Sequence, residues 1–154
     1  MIMQSAKSVL VAVDGSENSR RAVEHVAEVL CGAPGFDFTL LHVIAEPDPD
    51  YFGNQPARRL EWISAQRAEA SAYLESYRSV LLKAGMAPGA VSVDVVEKDC
   101  PSLADCILDE CARRGAGILV LGRQGRGAKE ELLLGSVSKA AVHRGKGRAV
   151  WVVT

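Results

Sequence analysis

The sequence predicts a three-layer α/β/α sandwich around a five-stranded parallel sheet, and three observations predict it. Five apolar segments of strand length recur along the 154 residues. Segments with helical periodicity lie between them, so parallel strands joined by right-handed crossovers place helices on both faces of the sheet. Apolar residues make up 48% of the chain, and the length matches a single domain spanning residues 1–154.

The first strand and the first helix open this pattern. Ser8–Asp14 is an almost continuous apolar run, which is typical of a strand buried on both faces. Ser16 is placed to cap the helix that follows, and the glycines and proline of segment 32–35 end it. Phe36–Ile44 is predicted to be the second strand. The buried face of the first helix is predicted to consist of Ala22, Val26, Val29 and Leu30.

A proline-rich segment and a long helix come next. Glu46–Pro56 contains three prolines, and we expect an irregular surface flap there. Arg58–Ala84 is predicted to be helical, and Gly85 is placed to end the helix. The residues at helical spacing that are expected to pack inward are Ile63, Ala70, Leu74, Tyr77 and Leu81.

The third and fourth strands flank another helix. Val91–Val96 alternates in polarity, and Gly117–Leu121 is a short apolar run. Between them, Ser102 with Asp105 three residues later resembles a capping box, and Gly115 is placed to end the helix. The buried face of this helix is predicted to consist of Leu103, Ile107 and Cys111.

Glycines punctuate the loop between the fourth strand and a final helix, Ser136–His143. The loop begins with Gly122-Arg123-Gln124-Gly125, and Gly135-Ser136-Val137-Ser138 follows after nine further residues. Glycine permits close approach of a ligand to the backbone. A helix N-terminus offers unpaired N–H groups and about half a positive charge. Since Ser136 and Ser138 add hydroxyl donors, we interpret the loop as a phosphate cradle.

Two better-known phosphate loops do not fit this segment. In the P-loop pattern, Ala128 stands where the lysine should follow the second glycine. The dinucleotide fingerprint belongs after the first strand, where this chain has only Asp14-Gly15-Ser16.

The spacing Gly-x2-Gly-x9-Gly-Ser, which begins at Gly122, closely resembles the ATP-binding signature of the universal stress protein family. Val9–Ser16 and Leu41-His42-Val43 resemble the other landmarks of that family, in the same order along the chain. The resemblance implies a Rossmann-like sheet with strand order 3-2-1-4-5, which makes the first and fourth strands neighbours. It also implies an adenine nucleotide as ligand: ATP, or alternatively AMP or ADP, with Mg²⁺ held through the phosphates.

The resemblance further implies which residues contact the nucleotide. Main-chain groups of Val43 would meet the adenine edge, and Asp14 would contact the ribose or base side. The residues expected to hold the phosphates are Gly122, Gly125, Gly135, Ser136 and Ser138. The complete predicted nucleotide site is Ala12, Val13, Asp14, Val43, Gly122, Arg123, Gly125, Gly135, Ser136, Val137 and Ser138.

Plainer interpretations of these residues stay open. Asp14-Gly15-Ser16 also suits a turn and a helix cap. Val43 also suits the core, and His42, inside an apolar strand, is expected to be a hydrogen-bonded, partly buried side chain.

The sequence departs from the family pattern at two places. Family members often carry Gly-Ser-Arg-Gly where this chain has segment 122–125, and an aspartate often stands at the position of Gly117.

The residues favour a binding protein over a fast catalyst. The sequence offers no placed nucleophile–base pair and no carboxylate cluster for a catalytic metal, so no catalytic residue is predicted. The leading hypothesis is an ATP-binding regulatory protein of the stress response that signals through nucleotide occupancy, with Glu46–Pro56 as the responding segment. The alternatives are a slow ATP hydrolase or phosphotransferase, and a nucleotide-free dimeric interaction module.

The last strand suggests self-association. Arg148–Val153 is predicted to be the fifth strand, and the implied strand order puts it at the edge of the sheet. An edge strand with an apolar sequence invites pairing with another chain. The resemblance likewise implies dimerisation there, so we expect a homodimer through Val150–Thr154.

Composition argues against two classes of partner. The formal net charge is -1 and no basic surface interleaved with aromatic residues is visible, so nucleic acid is not an expected partner. No apolar stretch approaches the ~20 residues of a membrane span. Because residues 1–4 do not resemble a signal peptide, the expected location is the cytoplasm.

The cysteines show no metal-binding pattern. Cys31, Cys100, Cys106 and Cys111 have no CxxC spacing. In a reducing compartment we expect free thiols rather than disulfides. Cys100 precedes a helix start, where its pKa is open to lowering, so redox sensing at this residue stays open beside plain packing.

Overall fold

The computed structural model describes residues 4–123 and 135–154, and it contains one five-stranded sheet. All four strand pairs are parallel, and the order is β3-β2-β1-β4-β5. This confirms the order that the family resemblance implies. The strands are β1 (Ser5–Ala12), β2 (Asp37–Ala45), β3 (Val91–Lys98), β4 (Ala116–Gly122) and β5 (Ala149–Val153).

In the described part of the chain, four α-helices form the outer two layers. Their bounds are α1 (Glu17–Leu30), α2 (Pro56–Lys83), α3 (Leu103–Arg114) and α4 (Ser136–Arg144). One core cluster joins α1 and α2 to one face of the sheet. A second cluster joins α3 and α4 to the other face. The predicted three-layer α/β/α sandwich is therefore confirmed.

Strand β1 shows why its apolar run is continuous. Val9 and Val11 lie in the cluster with α1 and α2. Leu10 and Ala12 lie in the cluster with α3 and α4. Because successive side chains of a strand point to opposite faces, a central strand covered on both sides needs apolar residues throughout.

Several elements begin or end at residues other than those predicted. Strand β1 begins at Ser5 and ends two residues before Asp14. Helix α2 begins at Pro56 rather than Arg58, since proline suits the first position of a helix, where its missing N–H has no partner to lose. The proline-rich segment is not wholly irregular, because residues 49–52 form a short 3₁₀ helix whose Phe52 ring packs 5.8 Å from Trp62.

Two residues predicted to be buried are exposed. Val29 is 51% exposed and Leu103 is 36% exposed. Val29 lies beside the inward stripe of α1 that runs through Val26 and Leu30. Leu103 is the first residue of α3 and lies just outside the buried stripe of that helix. The helical period places both residues only approximately, and packing against the sheet decides the width of the buried stripe.

A buried carboxylate ties β3 to α3. Glu110 is 2% exposed, and it accepts from Lys98 Nζ at 2.9 Å, from Arg113 Nη2 at 2.7 Å and from Arg114 Nε at 2.8 Å. Burial by itself raises the pKa of Glu110. The hydrogen bonds from Arg113, Lys98 and Arg114 outweigh burial and lower this pKa from 4.5 to about 2. The ionised carboxylate is therefore part of the folded structure at neutral pH.

The expectation that all cysteines are free thiols is wrong. Cys100 and Cys106 form a disulfide, with their Cα atoms 5.6 Å apart. The first turns of α3 fold back against the residues that follow β3, which brings the two side chains within bonding range. Cys31 and Cys111 are free cysteines.

Within residues 4–123 and 135–154, no helix is long and apolar enough to cross a membrane.

Candidate functional site

The candidate site lies where β1 and β4 end, side by side in the sheet. Val11 pairs with Val120, so the turns that follow the two strands leave the same edge of the sheet. The connection after β1 leads to β2 on one side of β1, whereas β4 lies on the other side. Such a reversal opens a crevice at the carboxyl ends of the strands, which is where open α/β sheets bind ligands.

Asp14 is held firmly in the turn between β1 and α1. Its Oδ1 accepts from the Ser16 N–H at 3.0 Å and from the Ser19 hydroxyl at 2.8 Å. Ser16 caps α1 by accepting from the Ser19 N–H at 3.1 Å. The turn-and-cap role is thus present in the structure, and it also fixes the direction of the half-buried carboxylate.

Sequence reasoning missed Ser19. This side chain is 4% exposed, and its hydroxyl also accepts from the Asp14 N–H at 3.0 Å. Its spacing was the signal that could have found it. Ser19 is the third residue after the capping residue Ser16, so it lies in the first turn of the helix, next to the cap.

Val43 lies just beyond the end of β1. The Val13 N–H donates to the Leu41 carbonyl at 2.9 Å, after which the two strands no longer pair. In a parallel ladder, alternate residues direct their main-chain groups to the same side, so Val43 directs its N–H and C=O to the same side as Leu41, past the end of β1. Val43 as a whole is buried, at 8% exposed, and it belongs to the core cluster with α3 and α4.

His42 is a satisfied side chain, as expected. Its Nδ1 lies 2.9 Å from the Val13 carbonyl oxygen and 2.6 Å from the Tyr73 hydroxyl. Both partners meet the same ring nitrogen, so its hydrogen-bonding capacity is used within the fold. His42 therefore closes the gap between β1 and β2 and is not presented as a base.

Gly122 and Ser138 connect the end of β4 to the start of α4. The Ser138 hydroxyl donates to the Gly122 carbonyl at 2.7 Å, and Ser138 is 2% exposed. A Cβ on Gly122 would lie 2.7 Å from the main-chain carbon of Asn18 in α1. Glycine is therefore needed at position 122 because α1 packs closely against the end of β4. The Ser138 hydroxyl proton is used in the bond to the Gly122 carbonyl.

The two described ends of the glycine loop meet. The Gly135 N–H donates to the Arg123 carbonyl at 2.9 Å, and the Arg123 N–H donates to the Val153 carbonyl at 2.8 Å. Gly135 is the N-cap residue of α4 and has no side chain to cap it. The first-turn N–H groups of Ser136, Val137 and Ser138 therefore lie at a helix end that no side chain of the described residues caps.

Arg123 supplies a second anion-binding feature. Its Nη2 nitrogen is buried and has no hydrogen-bond partner among the described residues. An unpaired buried donor costs free energy that an acceptor oxygen would recover. Among the described residues, a helix N-terminus without a capping side chain and a guanidinium nitrogen without a partner both suit an anionic group, such as a phosphate.

The structure brings together most of the predicted site residues at this edge of the sheet. Gly125 lies outside the described residues. Those that line the ends of β1 and β4 and the start of α4 are Ala12, Val13, Asp14, Gly122, Arg123, Gly135, Ser136, Val137 and Ser138.

A cleft that sequence reasoning missed lies along the same edge, at the end of β2. Its volume is about 400 Å³, and its lining includes Glu46, Phe52 and Arg59. Arg59 bonds to Glu46 and, at 2.9 Å, to Glu97 at the end of β3. A hydrogen bond between the two carboxyl groups and burial raise the pKa of Glu97, whereas the same bond lowers that of Glu46. These ion pairs anchor the segment that follows β2.

Among the described residues, no group of three or more His, Cys, Asp or Glu side chains is arranged to hold a metal ion.

Solved structures share this fold. Hypothetical protein MJ0577 gives a TM-score of 0.79 at 24% identity, covering 96% of this chain and 95% of that one. A universal stress protein solved in complex with cAMP gives 0.70 at 24% identity, covering 97% and 99%. A universal stress protein from Archaeoglobus fulgidus, solved in complex with dAMP, gives 0.66 at 18% identity, covering 99% and 98%. At these identities the likeness concerns the fold.

Sequence comparison identifies the family. A sequence model of the universal stress protein family matches residues 5–153. A relative from Thermus aquaticus, the universal stress protein in QAH/OAS sulfhydrylase 3'region, is 33% identical over 142 residues, covering 88% of this chain and 90% of the relative. The chain therefore belongs to the universal stress protein family.

Proposed function

We propose that this protein binds an adenine nucleotide, with ATP as the main ligand, and acts as a regulatory protein through nucleotide occupancy. Two observations among the described residues carry the proposal: no side chain caps the N-terminus of α4, and Arg123, whose main chain bonds to Gly135, has a buried Nη2 without a hydrogen-bond partner. Two structures of the same fold were solved with cAMP and dAMP, which supports an adenine nucleotide as the class of ligand.

Each part of the site has a role in this proposal. The N–H groups of Ser136 and Val137, together with Arg123, bind phosphate oxygens. Asp14 is held by Ser16 and Ser19 in an orientation suited to accepting from ribose hydroxyls. The Val43 main chain pairs with the adenine edge, while Ala12 and Val13 form the floor of the site. Mg²⁺ accompanies the phosphates, which supply its ligands.

Thermal unfolding with ATP–Mg²⁺ tests binding. At a hundredfold excess over the dissociation constant, ATP is expected to add ~2.7 kcal/mol, which raises Tm by about 5–10 °C. Parallel titrations with ADP and AMP rank the nucleotides. Slower hydrogen exchange of residues 46–56 in the complex would show that this segment responds to occupancy.

A matched pair of variants at Ser136 separates binding from folding. Ser136 is exposed at the first position of α4, so a longer side chain fits there. Ser136→Glu places a negative charge where it favours the helix dipole but repels phosphate, so Tm is kept while nucleotide affinity falls at least about tenfold. Ser136→Gln keeps the size without the charge. Equal affinity of the two variants would place the phosphates elsewhere.

We also propose that the protein forms a homodimer through β5. This strand pairs with β4 and lies at the edge of the sheet. The Val153 carbonyl accepts from the Arg123 N–H, so Val153 directs its main-chain groups toward β4. By alternation, Val152 directs its N–H toward the free edge, where a partner strand would pair with it.

Val152→Pro is expected to convert the dimer to a monomer without breaking the sheet. Proline removes the outward N–H of this residue and leaves the hydrogen bonds to β4 in place. Light scattering at micromolar concentration measures the mass, and Val152→Thr, which keeps the N–H, is the control. A proline variant that remains dimeric would rule out this interface.

A further inference from the structure

The bonded cysteine pair lies in the same apolar cluster as Ala12, Val43 and Val137 of the proposed nucleotide site. Cys100 follows β3, Cys106 lies early in α3, and the structure joins their sulfur atoms. We propose that Cys100 and Cys106 form a reversible dithiol–disulfide pair, a modification site at which a hydroperoxide oxidises the protein. This inference does not rest on nucleotide binding.

The two cysteine residues differ in exposure. Cys100 is half-buried, whereas Cys106 has 0% of its surface exposed. A small oxidant therefore reaches Cys100 first, and Cys106 is the group that closes the bond. The Cα–Cα distance of 5.6 Å lies within the usual range for a disulfide.

The chemistry balances in two steps. The Cys100 thiolate attacks the terminal oxygen of the hydroperoxide, the O–O bond breaks, and Cys100 sulfenic acid and an alcohol form. The Cys106 thiol then attacks the Cys100 sulfur, the S–O bond breaks, and water leaves. The two thiols lose two electrons, which the hydroperoxide takes up. A dithiol reductant reverses the result by thiol–disulfide exchange.

The pair is positioned by contacts that do not depend on the bond. Ser102 caps α3 by accepting from the Asp105 N–H at 3.1 Å, so the first turn stays in place when the thiols are reduced. Cys106 is the fourth residue of that helix and is packed in the apolar cluster between α3 and the sheet. The reduced protein thus holds both thiols ready to close.

Oxidation constrains the connection between β3 and α3. At the end of β3, Lys98 contacts Glu46, which lines the cleft. Lys98, two residues before Cys100, pairs with Glu110 in α3 at 2.9 Å. The Lys98 carbonyl accepts a hydrogen bond at 3.3 Å from the N–H of Glu46, the first residue of the segment that follows β2. A closed disulfide restricts the conformational freedom of the chain between β3 and α3. The oxidised protein is expected to unfold about 3–6 °C above the reduced one.

Thiol counting on the full chain tests the proposal. The reduced protein is treated with hydrogen peroxide, denatured, alkylated with N-ethylmaleimide and weighed by mass spectrometry. Of the four cysteines, all four are expected to be labelled before oxidation and two afterwards, with a peptide linking Cys100 to Cys106. Dithiothreitol added to the folded, oxidised protein is expected to restore four labels.

Three variants make the result specific. Cys106→Ser is expected to leave Cys100 as a sulfur oxyacid without a linked peptide, and to abolish the redox-dependent change in Tm. Cys31→Ser and Cys111→Ser are expected to keep the peroxide-dependent loss of two labels. Four labels that persist in peroxide, a bond that dithiothreitol cannot open, or a link through Cys31 would each overturn the proposal.

Discussion

Replacement of Gly122 by alanine is expected to lower the free energy of unfolding by about 3 kcal/mol and Tm by about 6–12 °C. The new Cβ would lie 2.7 Å from the Asn18 main-chain carbon and 2.8 Å from its carbonyl oxygen. Main-chain atoms of a helix cannot rotate away as the end of a side chain can. Helix α1 must therefore shift from the end of β4, at the point where Ser138 also binds Gly122.

Gly89→Ala is the matched control for this prediction. A Cβ on Gly89 meets nothing within 4 Å, and this glycine is not among those with positive φ. Alanine there is expected to be neutral or to stabilise by up to about 1 kcal/mol, because it restricts the unfolded chain. Denaturation of both variants by urea measures the difference. A Gly122 variant as stable as the Gly89 variant would contradict the close packing of β4 against α1.

Gly122 is a poor position at which to probe the nucleotide site, because its substitution disturbs helix packing. A Gly122 variant that fails to bind ATP would not distinguish a lost phosphate contact from a displaced helix. Ser136 is exposed, so its charge can be changed without disturbing packing. The Glu and Gln variants at that position therefore give the clearer test of the phosphate cradle.

The Glu110→Gln variant is expected to lose about 3 kcal/mol of stability at pH 7. Lowering the pKa of this carboxyl group from 4.5 to about 2 is equivalent to ~3 kcal/mol of stability from the ionised form. Glutamine has nearly the same shape but no charge. It leaves Lys98 and Arg114, which are largely buried, without their shared counterion.

The pH dependence of this loss has a definite sign. Because the pKa of Glu110 is lower in the folded protein, its contribution is complete above about pH 4.5 and declines as the pH falls toward 2. The difference between the wild type and Glu110→Gln is therefore expected to shrink across that range. Glu75→Gln, at an exposed position of α2, is the control and is expected to be within about 0.5 kcal/mol of wild type. A pH-independent difference would show that the glutamine acts by shape alone.

Local patterns in the sequence predicted the elements well. The caps at Ser16 and Ser102 are confirmed, since each hydroxyl accepts from the N–H three residues later. Gly115 ends α3 with φ of 68°, as a left-handed glycine should. These features depend on residues close together in the chain, which is why composition and spacing reveal them.

Boundaries and burial were harder to predict. Pro56 belongs to α2, and residues 49–52 form a short helix, although the prolines suggested an irregular segment. Val29 and Leu103 have the right helical spacing but remain exposed. How far an element extends, and how wide its buried face is, depends on the neighbouring layer.

The chain by itself determined the alternation of strands and helices, the helix caps and the glycine spacing that marks the family, because each is set by neighbouring residues. Only the tertiary structure decided the Cys100–Cys106 bond, the ion pairs of Glu110 and the ion pair by which Arg59 anchors the segment that follows β2. It also decided why glycine stands at position 117, where a Cβ would lie 2.3 Å from the Ser5 carbonyl oxygen. These features depend on distances between separate elements, which packing sets and local sequence does not.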